Sequence, residues 1–575
     1  MIIKKKIVLV GIYLTGIYPR GDDTAVAHLL APAYLKAVTD ADPEISKNHE
    51  TRILNLPSSL DEKEITGHIL AEKPDIVGFS IYIWNFDLMY KCSRLVREKD
   101  SNLQIIWGGP QVSCNPIEMM EANPQVSIIV SGSGETRFKK LLKSGFEEVK
   151  LAQIPGITYR SKTGEIIHNS GNIIEDLTQV PSPYNTGIID LDVNDRNCVF
   201  IETFRGCLFE CGFCFWMGEQ KKKINHFPIE QVLQDIDIVY NHPNVVAVVF
   251  TDACILYTRK RAKLIFDRIA SCKKKIPTIL TLDIAFINEE MIECLNHIDL
   301  SHQKFHFGMQ SINQETLKLM NRRIGPKVFE ERVSFLKKLD PDAEISFDLI
   351  YGLPGDNHDI FRETVDFALN LLPIKLNMSP LVLLPGSPYW ARREEFGFDY
   401  STYPPYYVLS NKTYSAEDMK KTRRLVLGLI MVMYFPAIRD TIYEISRENT
   451  RLRKIDLFES FIAMFEKRSN IMFDFTDIKD EEQCSPEVQN HIRKKIMNKV
   501  AKPDNCLLAY EIMNELLNKH NAKDLEQNVL TGIDYYKRVS NLDLKSTNKS
   551  FGQYDRKLLD KIKFGWVISG NGSYK

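Results

Sequence analysis

Residues 203–218 read T-F-R-G-C-L-F-E-C-G-F-C-F-W-M-G and set Cys207, Cys211 and Cys214 at the spacing C-x3-C-x2-C. Thiolates are soft ligands that suit iron–sulfur clusters, zinc and copper. A four-iron cluster usually takes four cysteines. Here three stand together, and the next, Cys254, lies forty residues on. Three ligands would leave one iron open to a small molecule. A zinc knuckle is the competing reading. Structural zinc sites, however, are closed by four ligands in paired units, and His226, the nearest histidine, has no paired partner.

The cysteines follow Val199-Phe200-Ile201-Glu202, a short apolar stretch that reads as a strand, so they sit on a loop after a strand. Upstream, short apolar runs at Ile7–Ile12, Thr51–Leu54, Asp75–Ile81, Leu103–Trp107 and Val126–Val130 alternate with helix-like segments near 24–39, 60–72, 86–98, 115–122 and 135–144. That alternation predicts a doubly wound parallel sheet, whose ligands bind beyond the carboxyl ends of the strands. The turns at those ends are F-S-I-Y-I-W-N (79–85), W-G-G-P-Q-V (107–112) and S-G-S-G-E-T (131–136). Their glycines let backbone approach a large flat ligand. A nucleotide-binding or ligand-free flavodoxin-like domain is the alternative.

Downstream of the cysteines, strands are expected at 245–251, 277–282, 304–309, 344–350 and 376–383. With 198–202 they make six βα repeats, a partial parallel barrel. Residues 151–192 read as a linker, in which Pro155–Tyr159 is a strand, K-T-G a turn after it, and 174–190, with Pro181, Pro183 and Gly187, a run over the surface. The region 401–575 reads as mostly helical, with runs near 415–446, 450–468, 486–499 and 506–519 and a loose polar tail. It offers either a substrate-binding or a docking surface.

The chain of 575 residues has room for about three or four domains. Its 44% apolar and 26% charged content is that of a soluble globular protein. With 74 basic and 75 acidic residues, it carries no electrostatic footprint for nucleic acid or a membrane surface. Eleven scattered cysteines suit a reducing cytoplasm rather than a disulfide framework. The N-terminal run M-I-I-K-K-K-I-V-L-V-G imitates a signal peptide but reads as a buried first strand, with Asp22 and Asp23 just before the supposed cleavage site. Leu425–Ile438 is too short to span a bilayer and reads as a buried helix.

The cysteine spacing, with aromatic Phe213 before the third cysteine, resembles the signature of radical S-adenosylmethionine (SAM) enzymes. In that family Cys207, Cys211 and Cys214 would hold a 4Fe-4S cluster whose open iron chelates SAM. Thr251 and Asp252 then stand where the SAM amino group is held, although the family often has Gly-Gly-Glu there. Asp283 stands where a polar group meets the ribose. G-M-Q-S-I-N (308–313) resembles the cobalamin-type branch, with Gln310 and Ser311 facing the site. F-D-L-I-Y-G-L-P-G, which contains Asp348, resembles the segment backing the adenine.

I-W-G-G-P followed by S-G-S-G-E-T resembles the cobalamin-binding domain that precedes many radical SAM modules. This implies cobalamin contacts at Ser80, Gly108, Gly109, Gly132, Gly134 and Glu135. No D-x-H-x-x-G motif is present among His28, His49 and His68, so a lower cobalt ligand stays open. The methylthiotransferase branch places three further cysteines in its first domain, where this chain has only Cys92 and Cys114.

The resemblance implies an α/β chain: a Rossmann-like cobalamin domain (1–150), a linker (151–192), a partial (β/α)6 TIM-like radical SAM barrel (193–400) and a mostly helical C-terminal domain. It implies a cytoplasmic enzyme that uses a 4Fe-4S cluster, SAM and cobalamin to methylate an unactivated carbon of a small-molecule or peptide substrate. Its electrons would come from a donor such as flavodoxin or ferredoxin. Rearrangement, ring contraction or cyclisation without methyl transfer, and a non-catalytic corrinoid-binding or electron-relay protein, are the alternatives.

Overall fold

The computed structural model describes residues 4–14, 25–216, 223–300, 305–339, 341, 344–473, 486–520, 522 and 526–540. Asp22, Asp23, Cys484 and the polar tail lie outside the described residues. The chain forms two compact units, Met1–Lys304 with Leu384–Ala391, and Phe305–Leu383 with Arg392–Lys575.

The first unit opens with β1 (Lys5–Tyr13), followed by β2 (Val26–His28), β3 (His49–Pro57), β4 (Ile76–Ser80), β5 (Gln104–Gly108) and β6 (Ile128–Val130). β7 (Ile157–Arg160) and β8 (Ile166–His168) come next. One sheet has the order β3-β1-β4-β5-β6-β7-β8. Its first five strands are parallel, in the flavodoxin-like order that puts a ligand crevice between β1 and β4. All five match strands expected from the apolar runs. Alternate residues along β1 feed two cores. Val8, Val10 and Ile12 join one cluster, while Ile7 and Leu9 join the other.

Residues 157–168 extend this sheet as an antiparallel hairpin against β6, with the strand expected at 155–159 as β7 and the K-T-G turn before β8. The stretch after it, 174–190, mixes exposed residues with buried anchors. Leu177, Val180 and Tyr184 are buried, because apolar side chains there find cover. Ser182 donates a hydrogen bond to Asp235 of helix Ile229–Asn241 and accepts from the Tyr184 and Asn185 amides.

A second sheet contains β9 (Asn197–Ile201), β12 (Val245–Phe250) and β13 (Thr278–Ile279), in the order β13-β12-β9-β2, all parallel. A small pair, β10 (Phe204–Arg205) and β11 (Asn225–His226), lies between them in the chain. The helix expected at 24–39 starts only at Leu30. Residues 26–28 instead pair with β9, fixed by the Val26 amide on the Arg196 carbonyl at 3.0 Å and by His28 Nε2 at 2.8 Å from Asn197 Oδ1. β13 is shorter than the expected 277–282, since Pro277 has no amide to donate and the chain leaves the ladder after Ile279.

In the second unit, β14 (Phe305–Gln310), β15 (Ile345–Tyr351) and β16 (Lys375–Pro380) form a parallel sheet. They complete six βα repeats in chain order. Helices Ala416–Met433, Pro436–Glu448, Lys454–Ser469, Pro486–Val500, Pro503–Lys519 and Glu526–Ser540 follow. The run expected as one helix over 415–446 breaks before Pro436, which takes the first helical turn of the next helix at an angle of 104°. Among the described residues no single helix is long and apolar enough to cross a membrane.

Asp235 is 7% exposed, and burial pushes its carboxyl from 3.8 up to about 7 against the Ser182 hydrogen bond. A carboxyl raised on folding holds its proton more tightly in the folded chain. It therefore costs stability as pH climbs from 3.8 to about 7, and no more beyond that. Asp235→Asn stays neutral. It should flatten that loss by an amount on the order of a few kcal/mol, read from urea midpoints at about pH 4 and about pH 8.

Candidate functional site

The cysteine loop leaves β10 through Gly206, whose φ of +104° and whose Cβ position, 2.0 Å from the Lys223 carbonyl, exclude any side chain. Cys207, Cys211 and Cys214 are partly exposed, whereas Cys254 is buried and its thiol is pushed up to about 12 by burial. Backbone amides point at two of the sulfurs: Phe209 N at 3.4 Å from Cys207 Sγ and Trp216 N at 3.3 Å from Cys214 Sγ. Such donors stabilise thiolates. The Tyr257 hydroxyl lies 3.4 Å from Cys207 Sγ, and its ring packs edge-on against Phe209 and Phe286. Gly212 lies against the Tyr389 ring and accepts the Tyr389 amide at 2.8 Å; Phe213 beside it is half-buried.

Among the described residues no trio of His, Cys, Asp or Glu converges on one metal ion. A four-iron cluster binds each thiolate through a separate iron, so its cysteines stay apart. Three partly exposed thiols on one loop, two of them met by amides, fit such a cluster.

Beyond β12, the Thr251 amide donates to the Ile201 carbonyl at 2.9 Å, tying the ends of β12 and β9 together. Asp252 is 2% exposed, and its Oδ1 accepts from the Thr203 and Phe204 amides at 2.9 and 3.0 Å. Burial pushes its carboxyl up to about 7. Its Oδ2 and the Thr203 hydroxyl are buried without hydrogen-bond partners, a polar pair that fits a ligand's amino group. Asp283 caps the short turn Ile284–Phe286 by accepting from the Ala285 amide at 3.0 Å.

Ser80, Gly108, Gly109, Gly132, Gly134 and Glu135 gather at the carboxyl edge of β4, β5 and β6. Their reasons for being there differ. A Cβ at Gly108 would meet nothing closer than 3.8 Å, so that face is open. Gly109, at φ +111°, needs its missing side chain because Cβ would come 2.4 Å from the Ile81 carbonyl. The Gly132 amide donates to Ser113 at 3.2 Å, and Gly134 precedes helix Glu135–Lys143. Ser131 Oγ is buried at this edge with no partner, and Trp84, stacked on Tyr82, is 42% exposed. An open glycine, an orphaned hydroxyl and an exposed indole fit a broad, flat ligand. His28 is turned to Asn197.

The Glu135 carboxylate has a protein partner, Arg205, at 2.7 Å, and Glu202 holds the same guanidinium at 3.1 Å. Burial pushes Glu135 up, but the Arg205 charge outweighs it and holds the carboxyl below its usual range. At Glu202 burial wins and the carboxyl is raised. Burial also works against the Arg205 charge, yet the two carboxylates hold its pKa well above the ordinary value. The sequence reading missed Arg205, Glu202 and Tyr257. The pair E-x-x-R directly before the first cysteine was the available signal.

In the second unit, Gln310 ends β14 at φ +69° with its Oε1 buried and unpartnered. Ser311 is buried and donates to Asp356 at 3.2 Å, so its hydroxyl is committed within the fold. Asp348 accepts from Asn377 Nδ2 at 2.9 Å and lies 2.7 Å from His306 Nε2, a cross-strand row over β14, β15 and β16. His306 and Asn377 were not singled out. Only the strand register makes them neighbours of Asp348.

Gly109→Ala should destabilise the chain by roughly 1–3 kcal/mol or more through its positive φ and the Ile81 contact. Gly108→Ala should leave stability unchanged or raise it by up to about 1 kcal/mol. Urea unfolding of the two variants separates a glycine needed by the backbone from one left open toward a ligand.

Two family models match the chain, the B12 binding domain over residues 31–142 and the radical SAM superfamily over residues 201–368. The cobalamin-dependent radical SAM methyltransferase TokK of Streptomyces tokunonensis is 30% identical over 30% of this chain, a match that spans only 26% of TokK. Among solved structures, the radical S-adenosylmethionine methyltransferase TsrM from Kitasatospora setae superposes over 67% of this chain and 77% of its own, at 15% identity and a TM-score of 0.51. The cobalamin-dependent S-adenosylmethionine radical enzyme OxsB, in its apo form, superposes over 93% of this chain and 84% of its own, at 14% identity and a TM-score of 0.60. At these identities the two structures speak for the fold alone. The matched domains bring together cobalamin, SAM and a 4Fe-4S cluster as cofactors. The chain thus carries a B12-binding domain and a radical SAM domain in one polypeptide, the pairing found in cobalamin-binding radical SAM enzymes.

Proposed function

We propose that the chain is a cobalamin-dependent enzyme that methylates an unactivated carbon of a small molecule or peptide, drawing electrons from a flavodoxin- or ferredoxin-like donor. The observation that carries this reading is the joining of the two halves within one compact unit. Glu135, on the glycine turn at the cobalamin-side sheet edge, is ion-paired with Arg205, two residues before Cys207. TokK, named as a methyltransferase, supports the outcome.

When bound, the cluster with SAM would supply a 5′-deoxyadenosyl radical, and cobalamin a methyl group. The chain's own residues bind, orient and exclude water. Cys207, Cys211 and Cys214 would hold the cluster, with Tyr257 and the Phe209 and Trp216 amides steadying the sulfurs. Asp252 Oδ2 and the Thr203 hydroxyl would take the SAM amino group, relieving their missing hydrogen bonds. Gly108, Ser131 and Trp84 would line the corrinoid face. Methyl transfer to a carbon radical requires no acid or base.

Protein purified without oxygen should carry about four irons per chain. Cys207→Ala, Cys211→Ala or Cys214→Ala should lose them, while Cys506→Ala keeps them; equal loss in all four would sink the ligand assignment. Substrate turnover should release S-adenosylhomocysteine and 5′-deoxyadenosine in about equal amounts. Formation of 5′-deoxyadenosine without S-adenosylhomocysteine would establish the rearrangement reading, and neither product under strong reductant would leave a corrinoid-binding or electron-relay protein.

A further inference from the structure

The Glu135–Arg205–Glu202 clasp joins two stretches whose proposed tasks differ. Glu135 opens helix Glu135–Lys143 just after the S-G-S-G turn, and its side chain is 6% exposed. Arg205 lies in β10, directly before Gly206 and Cys207. Its guanidinium carbon lies 5.4 Å from the centre of the Tyr34 ring and 5.5 Å from that of Phe227, rings that stack on each other. A second tie runs beside the first. The Glu175 carboxylate accepts from the Thr136 amide at 3.1 Å and the Thr136 hydroxyl at 2.5 Å. The Glu175 carbonyl accepts from Asn225 Nδ2 at 2.7 Å, and Asn225 pairs with Arg205 across β10 and β11. The first two residues of the helix after the turn are thus both fastened to the strand pair that launches the cysteine loop. A guanidinium is a rigid planar fork, so it fixes direction as well as distance between its two carboxylates; an ammonium cannot.

We propose that Arg205 is a positioning residue that fixes the glycine turn after β6 against the cysteine loop, so that occupation of the cobalamin side is felt at the cluster side. The proposal rests on the function proposed above and adds the element that couples its two halves. Glu135 is then one arm of the coupling through its Oε1, while its Oε2 is buried without a hydrogen-bond partner.

The test is hydrogen–deuterium exchange on the full chain with and without hydroxocobalamin, for the native protein and for Glu135→Gln, Arg205→Lys and Arg205→Met. In the native protein, cobalamin should slow exchange both at 131–136 and at 205–209. Each variant should still bind cobalamin and protect 131–136, but lose the protection of 205–209, with Arg205→Lys retaining part of it. The double variant Glu135→Gln/Arg205→Met should transmit no less than Arg205→Met alone, because the two side chains act as one unit. Protection of 205–209 that survives in all the variants overturns the proposal. So does loss of cobalamin binding together with the fold in all of them, including the mild Glu135→Gln, since the clasp would then be a scaffold only. A native protein that binds no cobalamin overturns the functional reading instead.

Discussion

A guanidinium held between two carboxylates away from water is costly to assemble and costlier to break. Removing one member of a buried pair leaves an uncompensated charge worth about 3–5 kcal/mol. Arg205 approaches that position between Glu135, 6% exposed, and Glu202, 19% exposed, with the Tyr34 and Phe227 rings beside it. Such an arrangement adds little net stability over apolar packing, but it admits few alternative geometries. The ion pair therefore acts as a constraint on where the chain enters the cysteine loop, and Gly206, which tolerates no Cβ, turns the chain there.

Around this constraint the first unit uses one repeated device, the carboxyl edge of parallel strands. Every strand of a parallel sheet releases its chain at the same edge, so loops far apart in sequence converge without having been adjacent. β4, β5 and β6 bring Ser80, the Gly108–Gly109 turn and the 131–136 turn to one edge. In the second sheet β9 and β12 do the same for Thr203, Thr251 and Asp252. The short β2, lent by the N-terminal segment to the edge of β9, continues that sheet with residues that precede most of the cobalamin-side domain. Polar atoms buried without partners, at Asp252, Thr203 and Ser131, collect at these edges, where a ligand can supply the missing hydrogen bonds.

Much of this was legible before any coordinates. The parallel strands of the first domain could be read because strands buried on both faces appear as near-continuous apolar runs, as in Ile7–Ile12 and Ile76–Phe79. The cysteine loop was legible because its three thiols lie within eight residues of one another, so spacing alone carries the chemistry. Where the reading failed, long-range pairing had overridden local preference. Residues 26–28 become a strand only because β9 offers them partners. The stretch 174–190, with prolines suited to a surface loop, is drawn inward by Leu177, Val180 and Tyr184.

By itself the sequence determined most of the element types and their order, the glycine turns and the set of soft ligands, since each is written in residues close together along the chain. The tertiary structure decided what those residues do to one another. It turned Glu135 from a solitary helix-opening carboxylate into the partner of Arg205, set Asp348 between His306 and Asn377, and committed the Ser311 hydroxyl to Asp356. These pairings span 70, 42, 29 and 45 positions of chain. No local pattern encodes them, because strand register and sheet order, not sequence spacing, decide which distant side chains come within hydrogen-bonding reach.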